Sequence, residues 1–272
     1  MLEKITYINH INEKIEFGKG GIFANINNLR DYEWSITSIN NRISGFKKGV
    51  VSKTIPIIIK CNTEEEGIAI RNGLFETCEK DILTKQYGKL FVGDYYLKCF
   101  VTASKKSDYL KNNCYMKLTL TITTDLPSWV KETTTTFGYG QGTKGKNLDY
   151  NNDFPYDYTS NLLGDAVINS HFIDTNFKIN IYGPCDNPSI TIAGHEYGVD
   201  VNIENNEYLT IDSIEKTIVL THTDGTKENC FNKRNRDSYV FEKIPPGVCG
   251  VSSGQFKFDI TLLEERGEPK WT

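Results

Sequence analysis

Strict two-residue alternation constrains this chain more than any other feature. Met116, Leu118, Leu120 and Ile122 alternate with Lys117, Thr119, Thr121 and Thr123. Side chains on a strand point to opposite faces in turn, so such a run buries one face and wets the other. The pattern returns at Phe177, Ile179 and Ile181, at Tyr197, Val199, Val201 and Ile203, and at Phe256, Phe258, Ile260 and Leu262. Turn formers separate these later runs: Ala193-Gly194, Glu204-Asn205-Asn206, Asp224-Gly225 and Pro245-Pro246-Gly247. Many short strands divided by such turns predict a sandwich or barrel. The 15 Tyr and 14 Phe against 2 Met agree, because aromatic rings suit a pleated surface. No internal repeat of about 20–50 residues is present, which argues against solenoids and propellers.

The first half adds a helix to this pattern. Leu97, Cys99 and Val101 share the alternation, with Lys105-Lys106-Ser107-Asp108 as the expected turn into the strand at 115–123. Tyr32-Glu33-Trp34-Ser35-Ile36 and Ile55-Pro56-Ile57-Ile58-Ile59 are further expected strands. Pro56 cannot donate to a ladder, so it belongs at an edge or a strand start. Thr63-Glu64-Glu65-Glu66 has the form of a capping box. Its carboxylates lie where the helix dipole favours negative charge. Ile70, Leu74, Phe75, Cys78 and Ile82 follow at helical spacing. They predict a helix over 63–83 with one apolar stripe on a sheet. Gly67 and Gly73 each weaken it by about 1 kcal/mol relative to Ala, so packing must hold it.

Composition shifts near 137. The Gly-rich run Phe137-Gly138-Tyr139-Gly140-Gln141-Gly142 precedes Asn151-Asn152-Asp153-Phe154-Pro155-Tyr156. The expected organisation is a first β domain over 1–136, a linker over 137–160 and a second β-sandwich over 161–272. A chain of 272 residues suits two domains of about 150 residues each.

Charge and motifs exclude several functions. A net charge of −4 argues against nucleic-acid binding, which usually shows a basic excess. No apolar run approaches the ~20 residues that span a bilayer, so no membrane association is expected. Met1 to Tyr7 has no basic segment leading into an apolar one, so no secretory signal is read and a reducing cytosol is the expected site of synthesis. The seven cysteines, at 61, 78, 99, 114, 185, 230 and 249, make no Cys-x-x-Cys pair. They are expected as thiols acting as small, mostly buried hydrophobes.

Candidate catalytic patterns are incomplete. Gly138-Tyr139-Gly140 lacks the following helix that a nucleotide-binding loop needs. His195-Glu196 would need a second His at 199, which is Val199. His10, His171, His195 and His222 show no helical i, i+4 pair, and no Gly-x-Ser-x-Gly elbow occurs. Glu64-Glu65-Glu66 and Glu264-Glu265 are simplest as a helix start and solvated charge. Lys233-Arg234-Asn235-Arg236 beside Asp237 is a solvated loop or, more sharply, an inter-subunit salt-bridge site. No catalytic, cofactor-binding or metal residue is nominated, and no enzyme activity or cofactor is expected. The alternative is a carbohydrate-binding protein or a glycosidase, because aromatics on a sandwich can stack sugars and a carboxylate pair can occur on any sandwich.

The order of segments carries more. Tyr32-Glu33-Trp34, the Ile55-to-Ile59 strand entering the helix, and Thr119-Leu120-Thr121-Ile122-Thr123-Thr124-Asp125-Leu126-Pro127-Ser128-Trp129 come first. Asp153-Phe154-Pro155-Tyr156-Asp157-Tyr158, Ile181-Tyr182-Gly183-Pro184-Cys185-Asp186-Asn187-Pro188, and Tyr208-Leu209-Thr210-Ile211-Asp212 follow. Then come Asp224-Gly225-Thr226, Pro245-Pro246-Gly247 and the ending Phe258 to Trp271. Together they resemble the distal tail protein (Dit) family, the baseplate hub of long-tailed phages infecting Gram-positive bacteria. The resemblance implies a mainly β chain: an N-terminal β-sandwich with one packed α-helix, then a C-terminal galectin-like or jelly-roll β-sandwich. It implies a homo-oligomer, a hexameric ring at the virion tail tip, assembled in the host bacterial cytoplasm. Its implied partners are the tail tube protein, the tail-associated lysin or spike protein, and receptor-binding proteins. The family offers no catalytic residues to carry over. The strands from Tyr95 to Thr124 are the expected ring contacts, and no long apolar patch suited to a two-fold dimer is expected.

Overall fold

The computed structural model describes residues 4–109, 114–138 and 166–271. The chain divides into two units, Met1–Lys131 with Glu265–Thr272, and Glu132–Glu264. The sequence places the division at 136/137 and gives the whole C-terminal end to the second domain. Most of the expected linker, from 139, lies outside the described residues.

The first unit holds β1 (Ile5–Ile8), β2 (Lys14–Phe17), β3 (Ile22–Ala24), β4 (Ser35–Ile39), β5 (Arg42–Lys47), β6 (Val51–Lys60), α1 (Glu64–Thr84), β7 (Gly88–Val92), β8 (Tyr95–Tyr109), β9 (Tyr115–Thr124) and the start of β10 (Trp129–Phe137). All pairings are antiparallel. β2 pairs β1, β1 pairs β7, and β7 pairs the first part of β8, Tyr95 to Cys99. From Phe100 onward β8 pairs β9, which pairs β6, which pairs β3. One long strand thus joins two sheets, a usual way of turning a sandwich corner. Ile55, Ile57 and Ile59 of β6 meet Leu118, Leu120 and Ile122 of β9 and Leu90, Leu97 and Cys99 in one core.

The expected turn at 105–108 is strand instead. Ser104, Lys105 and Lys106 face Leu120, Thr119 and Leu118, with irregularities after Val101 and Lys106. Lys105, Lys106 and Ser107 are all exposed. This stretch has solvent on both faces, so it needs no apolar alternation and reads as a turn. Tyr32 to Trp34 likewise lie outside the strand, which starts at Ser35. Pro56 sits inside β6, opposite Thr119. Its carbonyl accepts from Asn25 N–H at 2.8 Å. The N and O of a strand residue point to the same side, so its missing N–H faces the side where β3 has ended. No bond to β9 is lost.

Helix α1 starts as expected. Thr63 caps it in extended conformation, its Oγ1 accepting from Glu66 N–H at 3.2 Å. Glu66 Oε2 reaches back to Asn62 N–H at 3.0 Å. Lys85, at φ 55°, ends it in the left-handed region. Only part of the expected stripe is covered: Leu74 and Cys78 are buried, whereas Phe75, Ile82 and the neighbouring Leu83 are exposed.

The second unit contains β11 (Ala166–Asn169), β12 (Asn176–Tyr182), β13 (Cys185–Asp186), β14 (Ser189–Ile192), β15 (His195–Gly198), β16 (Asn202–Ile203), β17 (Tyr208–Asp212), β18 (Thr217–Thr221), β19 (Lys227–Asn229), β20 (Gly247–Ser253) and β21 (Lys257–Arg266). One sheet runs β19-β18-β17-β12-β21-β10, the other β11-β20-β14-β15. Ile179, Ile181, Ile211, Ile218 and Ile260 of the first pack in one core with Val167, Ile190, Ile192, Cys249 and Val251 of the second. The chain is mainly β, as the alternation predicts, with one α-helix among the described residues. The run from Tyr197 to Ile203 is two short strands, not one. Asp200 N–H donates to Lys233 O at 2.7 Å and Val201 N–H to Val199 O at 3.0 Å, which breaks the ladder. The apolar side chains at 197, 199, 201 and 203 stay buried all the same.

A charged cluster closes the edge at β17–β19. His222 Nδ1 lies 2.6 Å from Glu207 Oε1, and Nε2 lies 3.6 Å from Glu228 Oε2. The bond to Glu207 raises the imidazole above its ordinary 6.5, with burial opposing. The same bond, then Glu204 N–H, holds Glu207 below its ordinary 4.5. A raised His stabilises below its unfolded value and loses that contribution as pH rises through the folded one. A lowered Glu stabilises above its unfolded value and loses it as pH falls through the folded one. The advantage of wild type over His222→Gln is therefore expected to be largest from about pH 4.5 to 6.5 and to shrink on both sides. Paired thermal melts across pH 3–9 check this; a difference flat across that range would rule it out.

The C-terminal segment of the first unit is held by Arg30. Its Nη1 donates to Pro269 O at 2.5 Å, and its guanidinium lies 3.8 Å from the Trp271 ring centroid.

Candidate interaction surface

The strands β4 and β5 form a two-residue hairpin. Ile39 faces Arg42, leaving Asn40 and Asn41 as the loop. Their φ values of 50° and 60° are those of a type I′ turn, which Asn tolerates and which matches strand twist. Ile36 faces Phe46 directly, and Ser38 faces Ile43 past a bulge. Facing residues share a face and Ile36 and Ser38 are two apart, so these pairs put Ile36, Ile43 and Phe46 on one face, the bulge absorbing the odd spacing in β5. Trp34 extends it, meeting Phe46 edge-on at 6.3 Å. These four are exposed by 60%, 60%, 59% and 43%. An isolated two-stranded hairpin is marginal in water, and this one turns an apolar face outward.

Its base is fixed. Lys53 is buried, and its ammonium donates to Asn28 O at 3.4 Å and to Asp31 O. Burial lowers its pKa, and the Asp31 charge opposes that. Asn28 Oδ1 accepts from Thr54 N–H at 2.7 Å, so the 25–31 loop caps the open side of β6. Lys48 donates to Ser128 Oγ at 2.8 Å and lies 4.7 Å from the Trp34 ring centroid. A second apolar surface lies between α1 and the β8–β9 pair, a groove of about 290 Å³ lined by Phe75, Cys78, Ile82, Leu83, Met116 and Leu118. The first unit therefore exposes two apolar surfaces.

The groups singled out by sequence do other things. His195 Nε2 lies 3.0 Å from Tyr239 O, and Glu196 accepts from Ser189 Oγ at 2.7 Å. Lys233 pairs with Glu228 at 2.7 Å, while Arg234 stacks 4.1 Å from the Phe231 ring centroid. His10 pairs with Asp81 and His222 with Glu207. Among the described residues no three His, Cys, Asp or Glu side chains converge on a metal position, and no helix is long and apolar enough to cross a membrane. Sequence reading missed the hairpin. Its signal is Asn40-Asn41 between runs that place an apolar residue at every second or third position.

Solved structures share this architecture over the whole chain. The SPP1 Dit (gp 19.1) protein, described as a paradigm of the hub adsorption apparatus in phages infecting Gram-positive hosts, matches with TM-score 0.60 at 11% identity, covering 98% of this chain and 100% of that one. The chain has the Dit fold. A chain of the phage P2 baseplate in its activated conformation with Ca matches with TM-score 0.64 at 13% identity, covering 99% of this chain and 100% of its own. The same baseplate with Sr gives 0.64 at 12%, covering 99% and 100%. No protein-family model and no curated protein sequence matches the chain.

Proposed function

We propose that this chain is the structural hub of a long-tailed phage tail tip. The observation that carries the reading is the Dit fold over both units. Copies close head-to-tail into a hexameric ring, a heterologous assembly that needs two different complementary surfaces on each chain. The apolar hairpin face and the groove beside α1 are two such surfaces in the first unit. The first unit lines the ring, and the second, a galectin-like sandwich, faces outward. The ring joins the tail tube protein to the tail-associated lysin or spike protein and anchors receptor-binding proteins. It acts in the virion after assembly in the host bacterial cytoplasm, without catalysis.

Light scattering and electron microscopy of the protein, alone, with its tail-lysin neighbour and in the particle, test this. A six-subunit ring in the particle is expected. The free protein stays monomeric at low concentration, because association follows mass action. A two-fold dimer in both preparations, with no ring in the particle, would overturn the proposal.

The two-domain organisation is tested separately. Limited proteolysis is expected to cut first in the Gly-rich run between Gly138 and Asn152. The nicked fragments should co-elute until denatured, because residues 265–271 belong with the first unit through Arg30. A first stable cut within 95–125 would contradict the assigned boundary.

A further inference from the structure

Cys61 follows β6 and Cys114 precedes β9. These strands pair with Lys60 opposite Tyr115, so the next pair outward sets Cys61 opposite Cys114. Cys61 N–H donates to Cys114 O at 3.0 Å, the bond that closes the last pair of the ladder and holds the two residues side by side just beyond it. Residues facing each other across antiparallel strands have Cα atoms about 4.5–5.5 Å apart, inside the roughly 4.4–6.8 Å that a disulfide spans. The Cys61 thiol turns across the strand gap, with Sγ 3.5 Å from Cys114 O and 3.3 Å from Thr63 O. Both cysteines are partly exposed, whereas Cys78, Cys99, Cys230 and Cys249 are buried. Cys185 is partly exposed too, but its thiol points to Tyr182 O. The facing pair is therefore the one that an external reagent can reach.

We infer that Cys61 and Cys114 are a redox site that forms a reversible cross-strand disulfide by exchange with a small soluble disulfide. One thiol loses its proton, and the thiolate attacks a sulfur of the external disulfide. A mixed disulfide forms as the external S–S bond breaks and one external thiolate leaves with a proton. The second cysteine, deprotonated, attacks the mixed disulfide at the protein sulfur and expels the other external thiol. Two protein thiols are oxidised, and one external disulfide is reduced to two thiols. The bridge ties the end of β6 to the start of β9 immediately before the cap of α1. It closes a loop of residues 62–113, restraining the unfolded chain. The Cys61 thiol is raised by burial and then by Cys114, which leaves little thiolate at neutral pH and slows the exchange. The inference stands on this pair's geometry and is independent of the hub reading.

The test uses the full chain, reduced and then incubated with oxidised glutathione. The products are denatured, alkylated with iodoacetamide, weighed intact and mapped as peptides. Five of the seven cysteines should alkylate, and a peptide linking Cys61 to Cys114 should appear. The oxidised form should melt about 5 °C higher, and dithiothreitol should reverse both changes. Cys61→Ser and Cys114→Ser should each abolish the link, leaving a glutathione adduct or a thiol at the remaining partner. Should a variant fail to fold, judged by melting under reducing conditions, the wild-type peptide map decides alone. Seven alkylated cysteines, or a link joining other residues such as Cys78 and Cys99, would overturn the assignment.

Discussion

Asp81→Ala is expected to cost the first unit about 3–5 kcal/mol, the range for removing one partner of a buried polar cluster. Asp81 lies in the last turn of α1, fully buried. A carboxylate there opposes the helix dipole and gives up its hydration, so bonds must hold it. Its Oδ2 accepts from the Tyr7 hydroxyl at 2.5 Å. Its Oδ1 accepts from His10 N–H at 2.9 Å, and His10 Nδ1 lies 2.5 Å away. Burial first, and then the Asp81 bond, push the Tyr7 phenol far above its ordinary value, so it remains a donor. The cluster ties α1 to the C-terminal end of β1 and the turn that follows it. A Cβ at Gly88 would collide with the Tyr7 hydroxyl and the Asp81 carboxylate, so no larger residue fits beneath it. Truncating Asp81 leaves the buried hydroxyl and the His10 groups without their acceptor. Tyr7→Phe removes one donor and leaves the carboxylate its His10 bonds, at about 1–2 kcal/mol. Urea unfolding checks both: the midpoint should fall with little change in slope. A loss below about 1 kcal/mol for Asp81→Ala would show that water or another group replaces its role.

What the sequence made legible follows burial. β9 and β12 were readable because one face meets a core and the other meets water, so the period of two survives in the residues. α1 was readable to within one residue because Thr63 and Glu66 sit at the cap. Segments with solvent on both faces were not readable. The far half of β8 carries Lys105, Lys106 and Ser107, which need no alternation. β4 and β5 carry apolar residues that cover nothing in the unit itself, so their pattern has no buried counterpart. The Asp81 cluster was hidden for another reason: nothing local marks a helical carboxylate as the partner of residues 7 and 10. The return of the chain end to the first unit depends on Arg30 meeting Pro269 and Trp271, a contact between the two extremes of the sequence. The pairing of Cys61 with Cys114 became visible only when the β6–β9 register was known.

The double variant Ile36→Asp, Phe46→Asp is expected to abolish self-association while leaving the fold intact. In the free chain the two side chains face each other across the β4–β5 hairpin, about 60% exposed. They contribute a cross-strand pair to the hairpin and little to the core, so thermal stability should change by no more than about 0.5–1 kcal/mol. In the proposed ring a neighbouring copy would cover the same face, and each side chain would become an apolar anchor. Anchors of this kind are worth about 2 kcal/mol or more each. Burying a carboxylate in their place adds a desolvation cost. Together the two changes should weaken association by about a thousandfold or more. Sedimentation or light scattering over a concentration series, beside a thermal melt, reads both quantities. Ile39→Asp is the internal control, because the bulge and alternation place Ile39 with Arg42 on the opposite face, and it should assemble nearly as wild type does. Equal loss from Ile39→Asp would mean that the hairpin works by its stability and not by one apolar face. Normal assembly of the double variant would move the contact to the groove between α1 and the β8–β9 pair, where Phe75→Asp and Leu83→Asp become the decisive substitutions.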